Sequence, residues 1–356
     1  MKKSKLLVVA VLVVCVSFGL FTACKKGNGS GRTLQVGVLS YLNFPEEEYS
    51  AVAEARRDLI NILLSEKGAE SKARERMAMR SIEVHYYDTL DAMIMALQAG
   101  EIDLIDEIPN STAKYLCHQN KLLKMSKTQF FGVRRPGKDV FARMVTGLVG
   151  NGFSFMMQKK NVALRDSFDD AIMSMKRDGT FAKLVKKHII EVCEGGEIVS
   201  VVPAYKHGRK TIKVAVTGAL PPMDFVAPDG TFAGFNTAIL AEIGKRLDKN
   251  ITIIQVDSVG RATALASGTV DVVFWTRGAS EWTYNNIEGK SKEEFEEMVK
   301  ANKASFSAEE SAAIEAYMKA LPPERNMIKD MPDDAICTYP YFSELPDILM
   351  LKKTKL

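Results

Sequence analysis

The stretch Met95-Ala-Leu-Gln-Ala-Gly-Glu-Ile-Asp-Leu-Ile105 decides the fold, because it returns later as Thr263-Ala-Leu-Ala-Ser-Gly-Thr-Val-Asp-Val-Val273. Each copy is typical of a helix that ends at a glycine, Gly100 or Gly268, since the left-handed backbone of a helix C-cap favours glycine. An apolar run follows each glycine, which predicts a buried strand directly after the helix. The chain therefore contains two related units.

Each unit also begins with a valine-rich apolar run that is typical of a strand. These runs are Leu34-Gln-Val-Gly-Val-Leu-Ser40 and Ile212-Lys-Val-Ala-Val-Thr-Gly218. An amphipathic helix and a further strand, at 82–86 or 251–256, precede the repeated stretch. Strand, helix, strand, helix, strand is the order of a parallel α/β unit with right-handed crossovers. We predict an α/β fold with two similar lobes, each a mostly parallel sheet flanked by helices.

Changes in composition place the boundaries between these units. The Gly-Gly and Pro-containing region near 195–210 interrupts the pattern, and a charged segment at about 288–325 interrupts the second unit. Its capping-box sequences, Ser291-Lys-Glu-Glu294 and Ser307-Ala-Glu-Glu310, predict two solvated helices. The predicted divisions are a first lobe at 32–200, a linker at 201–210 and a second lobe at 211–356.

The amino terminus has the features of an exported lipoprotein. Three lysines precede an apolar run at 6–16, which is too short to span a membrane but suits a secretory signal. The sequence Leu20-Phe21-Thr22-Ala23-Cys24 resembles a bacterial lipobox, which implies a signal peptide at 1–23 and a lipid on Cys24. A Gly/Ser-rich tether at 24–31 follows. The alternatives are a cleaved signal without lipid and an uncleaved anchor.

Composition argues against several functions. The net charge is +4, and removing the three lysines of 1–23 leaves +1, so nucleic-acid binding is not expected. After Cys24 only Cys117, Cys193 and Cys337 remain, without a CxxC pattern. That spacing predicts neither a disulfide framework nor a metal site, although export permits one pair. The four histidines are scattered and no catalytic motif is present, so we expect no cofactor and no enzyme activity.

Residues 211–277 resemble the first lobe of bacterial extracellular solute-binding proteins of family 3, the polar amino-acid receptors of ABC transporters. The first half resembles the same family more weakly, through 87–93, 96–103, 113–116 and the helical stretch 164–189. In the second half the matching stretches are Leu220-Pro-Pro-Met-Asp-Phe225, Asp229-Gly-Thr-Phe-Ala-Gly-Phe-Asn236, Ile239-Leu-Ala-Glu-Ile-Gly-Lys-Arg-Leu247, Ala264-Leu-Ala-Ser-Gly-Thr-Val-Asp271 and Tyr339-Pro-Tyr-Phe342.

The order of these matches departs from the family. A complete member has its second lobe inserted into the first and closing helices at the end. Here the second half lacks a second lobe and closing helices, while 164–189 of the first half resembles those helices. Two interpretations follow. Either each half supplies one lobe and the two face across one cleft, or the chain is a degenerate relative that binds no ligand in the usual way.

The resemblance implies a ligand held between the lobes by an aromatic wall, an arginine and carboxylates. It places Phe225 and Phe235 near the aromatic positions and Asn236 where an acid is usual. Thr276 and Arg277 follow a predicted strand and are the candidates for recognising a carboxylate, since arginine pairs with it through two hydrogen bonds. The alternatives are a core role for both phenylalanines and a surface ion pair for Arg277.

Polar residues also follow two predicted strands of the first half. Ser40, Tyr41 and Asn43 come after the opening strand, and Asp106 and Glu107 come after the third. Binding groups in open α/β sheets collect at such strand ends. We therefore add these residues, as weaker candidates, to the predicted site.

These features together predict a lipid-anchored receptor of the cell envelope, facing the periplasm or the cell exterior. It would bind a small polar solute such as an amino acid by hinge closure and present it to an ABC permease in the membrane. The first alternative is a signalling or scaffold lipoprotein that reuses the two lobes for protein contacts. The second is an enzyme that works in the cleft.

Overall fold

The structure, a computed structural model, describes residues 32–40, 55–56, 58–59, 81–125, 151–201, 210–227, 229–276, 297, 300–301, 306–320, 332, 334–344 and 346–354. Thr33–Leu356 form one compact unit, separate from Met1–Arg32. All described residues except Arg32 therefore belong to a single unit. The predictions for Cys24, the signal peptide at 1–23 and the tether lie outside the described residues.

Helices and strands alternate along both halves of the chain. The first half contains β1 (Leu34–Leu39), β2 (Ile82–Tyr87), α1 (Leu90–Ala99), β3 (Leu104–Pro109), α2 (Asn110–Gln119), β4 (Leu123–Met125), β5 (Asn151–Gln158), α3 (Val162–Arg177), α4 (Thr180–Val185) and α5 (Glu191–Cys193). The second half contains β6 (Thr211–Val216), β7 (Ala219–Leu220), β8 (Asp224–Val226), β9 (Phe232–Ala233), α6 (Phe235–Leu247), β10 (Asn250–Gln255), α7 (Gly260–Ala266), β11 (Val272–Thr276), α8 (Ala308–Ala320), β12 (Ala335–Cys337), β13 (Phe342–Glu344) and β14 (Pro346–Leu351). Within the described part of the chain, every helix is too short or too polar to span a bilayer.

Two sheets of matching design organise these elements. The first has the order β2-β1-β3-β14-β4, and the second has the order β10-β6-β11-β5-β12. In each sheet the first three strands are parallel, and an antiparallel strand, β14 or β5, follows them. A small antiparallel sheet, β7-β8-β9, adjoins the second half. The predicted α/β class with two similar lobes is confirmed.

The repeated stretch has the same structural role in both sheets. Gly100 ends α1 with φ 82° and Gly268 follows α7 with φ 72°, so both occupy the left-handed region that favours glycine. The aspartate three residues later then ties the next strand to the opening strand. Asp103 accepts a hydrogen bond from the Gln35 backbone N–H (2.9 Å), and Asp271 accepts one from Lys213 (2.9 Å).

Two strands cross from one half of the chain to the other. β5 precedes the predicted linker at 201–210, yet it pairs with β11, β12 and β13 of the second half. β14 lies near the end of the chain, yet it pairs with β3 and β4 of the first half. Each sheet therefore takes its antiparallel strand from the other half, and the predicted lobe boundaries do not follow the sheets.

Aromatic packing explains why β5 joins the second sheet. Phe155 of β5 is fully buried and lies edge-on to Phe168 of α3, with ring centroids 5.2 Å apart. The ring of Phe155 also contacts Phe274 of β11 (5.7 Å) and Tyr341 (5.1 Å). These contacts join β5 and α3 to the second half. The helices α3 and α4 therefore pack on the second half, where both contact α6.

The charged insertion of the second half contains one described helix, α8. The predicted capping box is confirmed, because the Ser307 hydroxyl accepts a hydrogen bond from the Glu310 N–H (3.1 Å) and the Glu310 carboxylate accepts one from the Ser307 N–H (2.6 Å). Most of α8 is exposed, as predicted, but Tyr317 is completely buried. The helix predicted after Ser291 falls largely outside the described residues.

Candidate functional site

A groove lies where loops from both halves of the chain meet. Its volume is about 590 Å³, and Asp88 and Thr89 line it from the first half. Thr217, Ala219 and the segment 255–259 line it from the second half. These residues follow β2, β6 and β10, so the groove lies at the carboxyl ends of parallel strands in both sheets. That is where open α/β sheets place their ligand sites.

The loop of the first half is fixed by two polar side chains. The Thr89 hydroxyl accepts a hydrogen bond from the Ala92 N–H (3.2 Å) and caps α1. The Asp88 carboxylate accepts a hydrogen bond from the Ser40 hydroxyl (2.7 Å). Ser40, a predicted ligand residue, therefore lies beside a residue that lines the groove.

The loop of the second half is also fixed by polar side chains. Asp257 accepts a hydrogen bond from the Gly260 N–H at the start of α7. The Ser258 hydroxyl donates to the backbone oxygen of Asp88 at 3.4 Å, which links the two loops across the groove. The Ser258 backbone oxygen in turn accepts a hydrogen bond from Arg261 Nε (3.0 Å). The two loops thus present an aspartate and a hydroxyl each.

A tight turn after β6 forms a further wall of the groove. Gly218 has φ 68°, and a Cβ at this position would lie 2.7 Å from Val226 Cγ2, so the turn requires glycine. Its N–H donates to the buried Asp224 carboxylate (2.8 Å), and the Gln255 amide donates to the Thr217 backbone oxygen (3.2 Å). Burial raises the pKa of Asp224 to about 7, against the opposing effect of the Gly218 N–H.

The charges of the groove favour a cationic group. Asp88 and Asp257 are exposed carboxylates, and none of the described residues that line the groove is basic. Two carboxylates on facing loops attract an ammonium group and repel an isolated anion. Val259, which is 71% exposed, gives the rim an apolar surface.

Two of the predicted site residues in the second half lie in packed surroundings. Phe235 is fully buried at the start of α6 and contacts Phe181 edge-on, with centroids 5.6 Å apart. Asn236 is also fully buried, and its side-chain oxygen accepts a hydrogen bond from the Tyr341 hydroxyl (2.9 Å). Phe225 is partly buried on β8 and pairs in register with Ala219, a groove residue. Thr276 is the last residue of β11.

The remaining predicted residues are in the first half or outside the described part of the chain. Asp106 is buried on β3, and its carboxylate accepts a hydrogen bond from the Glu107 N–H (2.9 Å). Arg277, Tyr41 and Asn43 lie outside the described residues. Of the predicted residues, Ser40 contacts Asp88 and Phe225 pairs with Ala219, and both of these neighbours line the groove. The ligand-binding roles of the whole set stay predictions.

The sequence analysis missed the two loops that meet at the groove. Asp88 and Thr89 follow β2 directly, and Asp257 and Ser258 begin one residue later after β10. The signal was present, because an aspartate followed by a hydroxyl residue between a strand and a helix is a pattern of helix capping. Its functional meaning depends on the two loops facing each other, which the repeat alone does not predict.

Residues 212–280 match the bacterial extracellular solute-binding proteins, family 3. This match confirms the predicted resemblance, and it spans the segment from β6 to the end of β11 and slightly beyond. The groove loops at 217–219 and 255–259 lie within it.

Several solved structures align with most of the chain. The GluR0 ligand-binding core in complex with L-glutamate has 10% identity, covers 92% of this chain and 88% of that chain, and gives a TM-score of 0.34. An ancestral arginine-binding protein bound to arginine has 14% identity, coverages of 90% and 85%, and a TM-score of 0.31. A putative L-cystine ABC transporter from Listeria monocytogenes has 9% identity, coverages of 91% and 84%, and a TM-score of 0.32.

Proposed function

We propose that this chain, which contains a family-3 solute-binding segment at 212–280, is the substrate-binding lipoprotein of an ABC-type transporter. It captures a small polar solute, an amino acid or a related compound, between its two sheets. Lipid on Cys24 holds it at the outer face of a membrane, beside the permease that receives the solute. Tethering of this kind raises the effective concentration of receptor at the permease.

The observation that supports this proposal is the groove between equivalent loops of the two halves. A volume of about 590 Å³ is in the range of small-molecule sites. The walls come from the carboxyl ends of strands in both sheets, so a bound molecule contacts both halves at once. A ligand with this placement stabilises the arrangement in which the halves are close together.

The chemistry of the groove suits the ammonium end of an amino acid. Asp88 and Asp257 provide negative charge, and the Gln255 amide and the Ser258 hydroxyl provide hydrogen-bonding groups. Arg277, two positions after Trp275 of β11, is the proposed partner of the carboxylate. Phe225, next to Ala219, is the proposed apolar wall.

The proposed mechanism is hinge closure. β13 pairs with β5 in the second sheet, and β14 begins two residues later in the first sheet. The chain therefore passes between the sheets within a very short segment, as a hinge does. Closure about it brings 88–89 and 257–259 together, and the closed form is the one presented to the permease.

A thermal-shift screen of the purified protein against the common amino acids tests the binding role. A solute at about 100 times its Kd adds roughly 2.7 kcal/mol to the free energy of unfolding. We expect at least one amino acid to raise the melting temperature, and Asp257→Asn to reduce the shift. Asp91→Asn, an exposed carboxylate of α1 away from the groove lining, is the matched control. No shift with any solute, combined with a stable protein partner, would favour the scaffold alternative.

The lipid anchor is tested separately. Cells that express the chain are supplied with radiolabelled palmitate, and the membrane and soluble fractions are compared. We expect label on the wild-type chain in the membrane fraction and none on Cys24→Ser. Label on Cys24→Ser would move the site to another residue, with Cys15→Ser as the next variant.

A further inference from the structure

A buried carboxylate lies directly behind one wall of the groove. Asp224 of β8 is completely buried, and one of its oxygens accepts the hydrogen bond from the Gly218 N–H (2.8 Å). Gly218 stands between Thr217 and Ala219, which both line the groove. The carboxylate of Asp224 is therefore separated from the groove by a single turn of the backbone.

The turn at 217–219 depends on this carboxylate for a short hydrogen bond. Two other bonds of the turn are longer, since the Gly218 backbone oxygen accepts from the Val226 N–H at 3.3 Å and the Thr217 backbone oxygen accepts from the Gln255 amide at 3.2 Å. A hydrogen bond to a charged acceptor is also roughly twice as strong as one between neutral groups. The charge on Asp224 therefore contributes to the shape of the groove wall.

The second oxygen of Asp224 can take up a proton. Asp224 Oδ1 and the Thr217 hydroxyl are both buried, and neither makes a hydrogen bond to a described residue. Burial raises the pKa of Asp224 to about 7, against the opposing effects of the Gly218 N–H and of the neighbouring Thr217. Asp224 therefore changes its charge near neutral pH, at an oxygen that faces no fixed donor.

The described groups that pack around Asp224 are uncharged. Leu220 of β7 pairs with it in register, and the start of α6 meets the same segment through the Asn236 N–H, which donates to the Met223 backbone oxygen (2.9 Å). The titratable side chain that faces Asp224 is Tyr341, and burial together with the charge of Asp224 raises the pKa of Tyr341 well above 10. The tyrosine therefore keeps its proton while Asp224 titrates.

We infer that Asp224 is a positioning residue through which pH controls the groove. In its charged form it holds the turn at 217–219 and places negative charge behind the wall that receives an ammonium group. Protonation weakens the bond from Gly218 and removes that charge. An ammonium solute therefore binds more tightly as the pH rises through neutrality, and its binding to protonated Asp224 releases one proton to the solvent. The inference rests on the proposed function for the solute, but not for the behaviour of the turn.

The amide of Gly218 tests the behaviour of the turn without any solute. In proton–nitrogen correlation NMR of the labelled wild type, we expect the Gly218 amide proton to move upfield as the pH falls, with a midpoint at about 7, because its acceptor loses its charge. In Asp224→Asn the acceptor oxygen is kept but does not titrate, so the signal should stay still. A wild-type Gly218 signal that does not move would overturn the inference.

Calorimetry tests the coupling to binding, with the amino acid that gives the largest shift in the thermal screen as the probe. We expect the wild type to bind it roughly fivefold more weakly at about pH 6 than at about pH 8, the effect of a change of one pKa unit on binding. Asp224→Asn should bind more weakly than the wild type at about pH 8, with no such dependence on pH.

Asp169→Asn is the matched control for the calorimetry. Burial raises the pKa of Asp169 on α3 to about 7 as well, but its carboxylate accepts a hydrogen bond from the Tyr339 N–H (3.0 Å), away from the groove lining. This variant should keep the wild-type dependence on pH.

The two measurements separate this inference from the proposed function. A purely structural role of Asp224 changes the affinity equally at every pH, so parallel pH profiles for the wild type and Asp224→Asn would overturn the inference. A protein that binds none of the common amino acids but shows the Gly218 titration would refute the proposed function and support the pH-dependent turn.

Discussion

The loops at the groove and the third strand of the first sheet differ in how far they are open to solvent. Each sheet has three parallel strands, an antiparallel strand from the other half of the chain and a further strand, and the second sheet also has β13. On the third strand of the first sheet Glu107 forms a buried ion pair with Arg56, which also hydrogen-bonds to Tyr317. The loops after β2, β6 and β10 instead line the open groove, where Asp88 and Asp257 are exposed. One kind of framework therefore supports both a closed polar contact and an open site.

The two halves are joined by strand exchange and by helix packing. α3 and α4 precede β6 in the chain and pack beside α6. β5 of the first half joins the second sheet, and β14 of the second half joins the first sheet. Each sheet therefore contains strands from both halves of the chain.

The largest expected effect on stability comes from destabilising β5, the strand of the first half that joins the second sheet. Phe155→Ala removes a fully buried ring that joins α3, β11 and Tyr341. The expected loss is roughly 3–5 kcal/mol in the free energy of unfolding, from lost burial and the cavity left behind. Chemical denaturation measures it, and Leu122→Ala, at a side chain 67% exposed, is the control. A loss below about 1 kcal/mol would mean that β5 is not a structural part of the second sheet.

A buried carboxyl on β13, just before the chain passes from the second sheet to the first, should make the free energy of unfolding depend on pH. Glu344 of β13 accepts hydrogen bonds from the Ser111 N–H (2.9 Å) and hydroxyl (2.6 Å) at the start of α2. Burial raises its pKa from 4.5 to about 7, despite the opposing effect of the Ser111 hydrogen bonds. The folded protein therefore holds a proton that the unfolded chain releases. Its stabilising contribution is full below pH 4.5 and is lost as the pH rises to about 7.

Glu344→Gln should remove that dependence. We expect the difference in unfolding free energy between wild type and variant to change by on the order of 2–3 kcal/mol between pH 4.5 and 8, at about 1.36 kcal/mol per pKa unit. Taking this difference cancels the contributions of the other titrating groups. One of them is Lys176, whose pKa is lowered to about 7 by burial. A difference that stays constant with pH would show that Glu344 is charged in the folded protein throughout.

The equivalent aspartates of the repeat allow a direct comparison of the two sheets. Asp103 and Asp271 make the same 2.9 Å hydrogen bond to the opening strand of their own sheet. We expect Asp103→Ala and Asp271→Ala to cost about 1 kcal/mol each, the net value of one such bond. Equilibrium unfolding of both variants and of the double variant gives the comparison. Costs that differ by more than about 2 kcal/mol would indicate that the repeat has different structural roles in the two sheets.

The sequence predicts the local parts of this fold better than the long-range ones. Gly100 and Gly268 identify both helix ends, and Ser307 with Glu310 identifies the capping box, because each signal lies within a few residues. The pairing of β14 with β3 joins Asp347 to Ile108 across most of the chain. A short apolar strand contains no information about which distant edge it will join, so the exchange was not predicted.

In the candidate site, too, the sequence predicts local features better than long-range contacts. Asp88 and Asp257 lie in corresponding loops of the repeat, one position out of register, but only the folded chain brings them to one groove. The aromatic residues at 225 and 235 came from family resemblance, and the structure places Phe235 in the packed interior. Arg56 and Tyr317 had no sequence signal at all, since their meeting depends on where the insertion folds.

The smallest expected effect concerns the link across the groove itself. The hydrogen bond from the Ser258 hydroxyl to the Asp88 backbone oxygen is long, at 3.4 Å, so Ser258→Ala should cost about 0.5 kcal/mol or less. Ser267→Ala is the matched control, because its hydroxyl donates to Ala264 (3.2 Å) within one half. We expect the two variants to unfold alike, whereas Ser258→Ala alone should shift the small-angle X-ray scattering curve slightly toward the open form. Identical scattering from both variants would mean that the Ser258 hydrogen bond does not hold the two loops together.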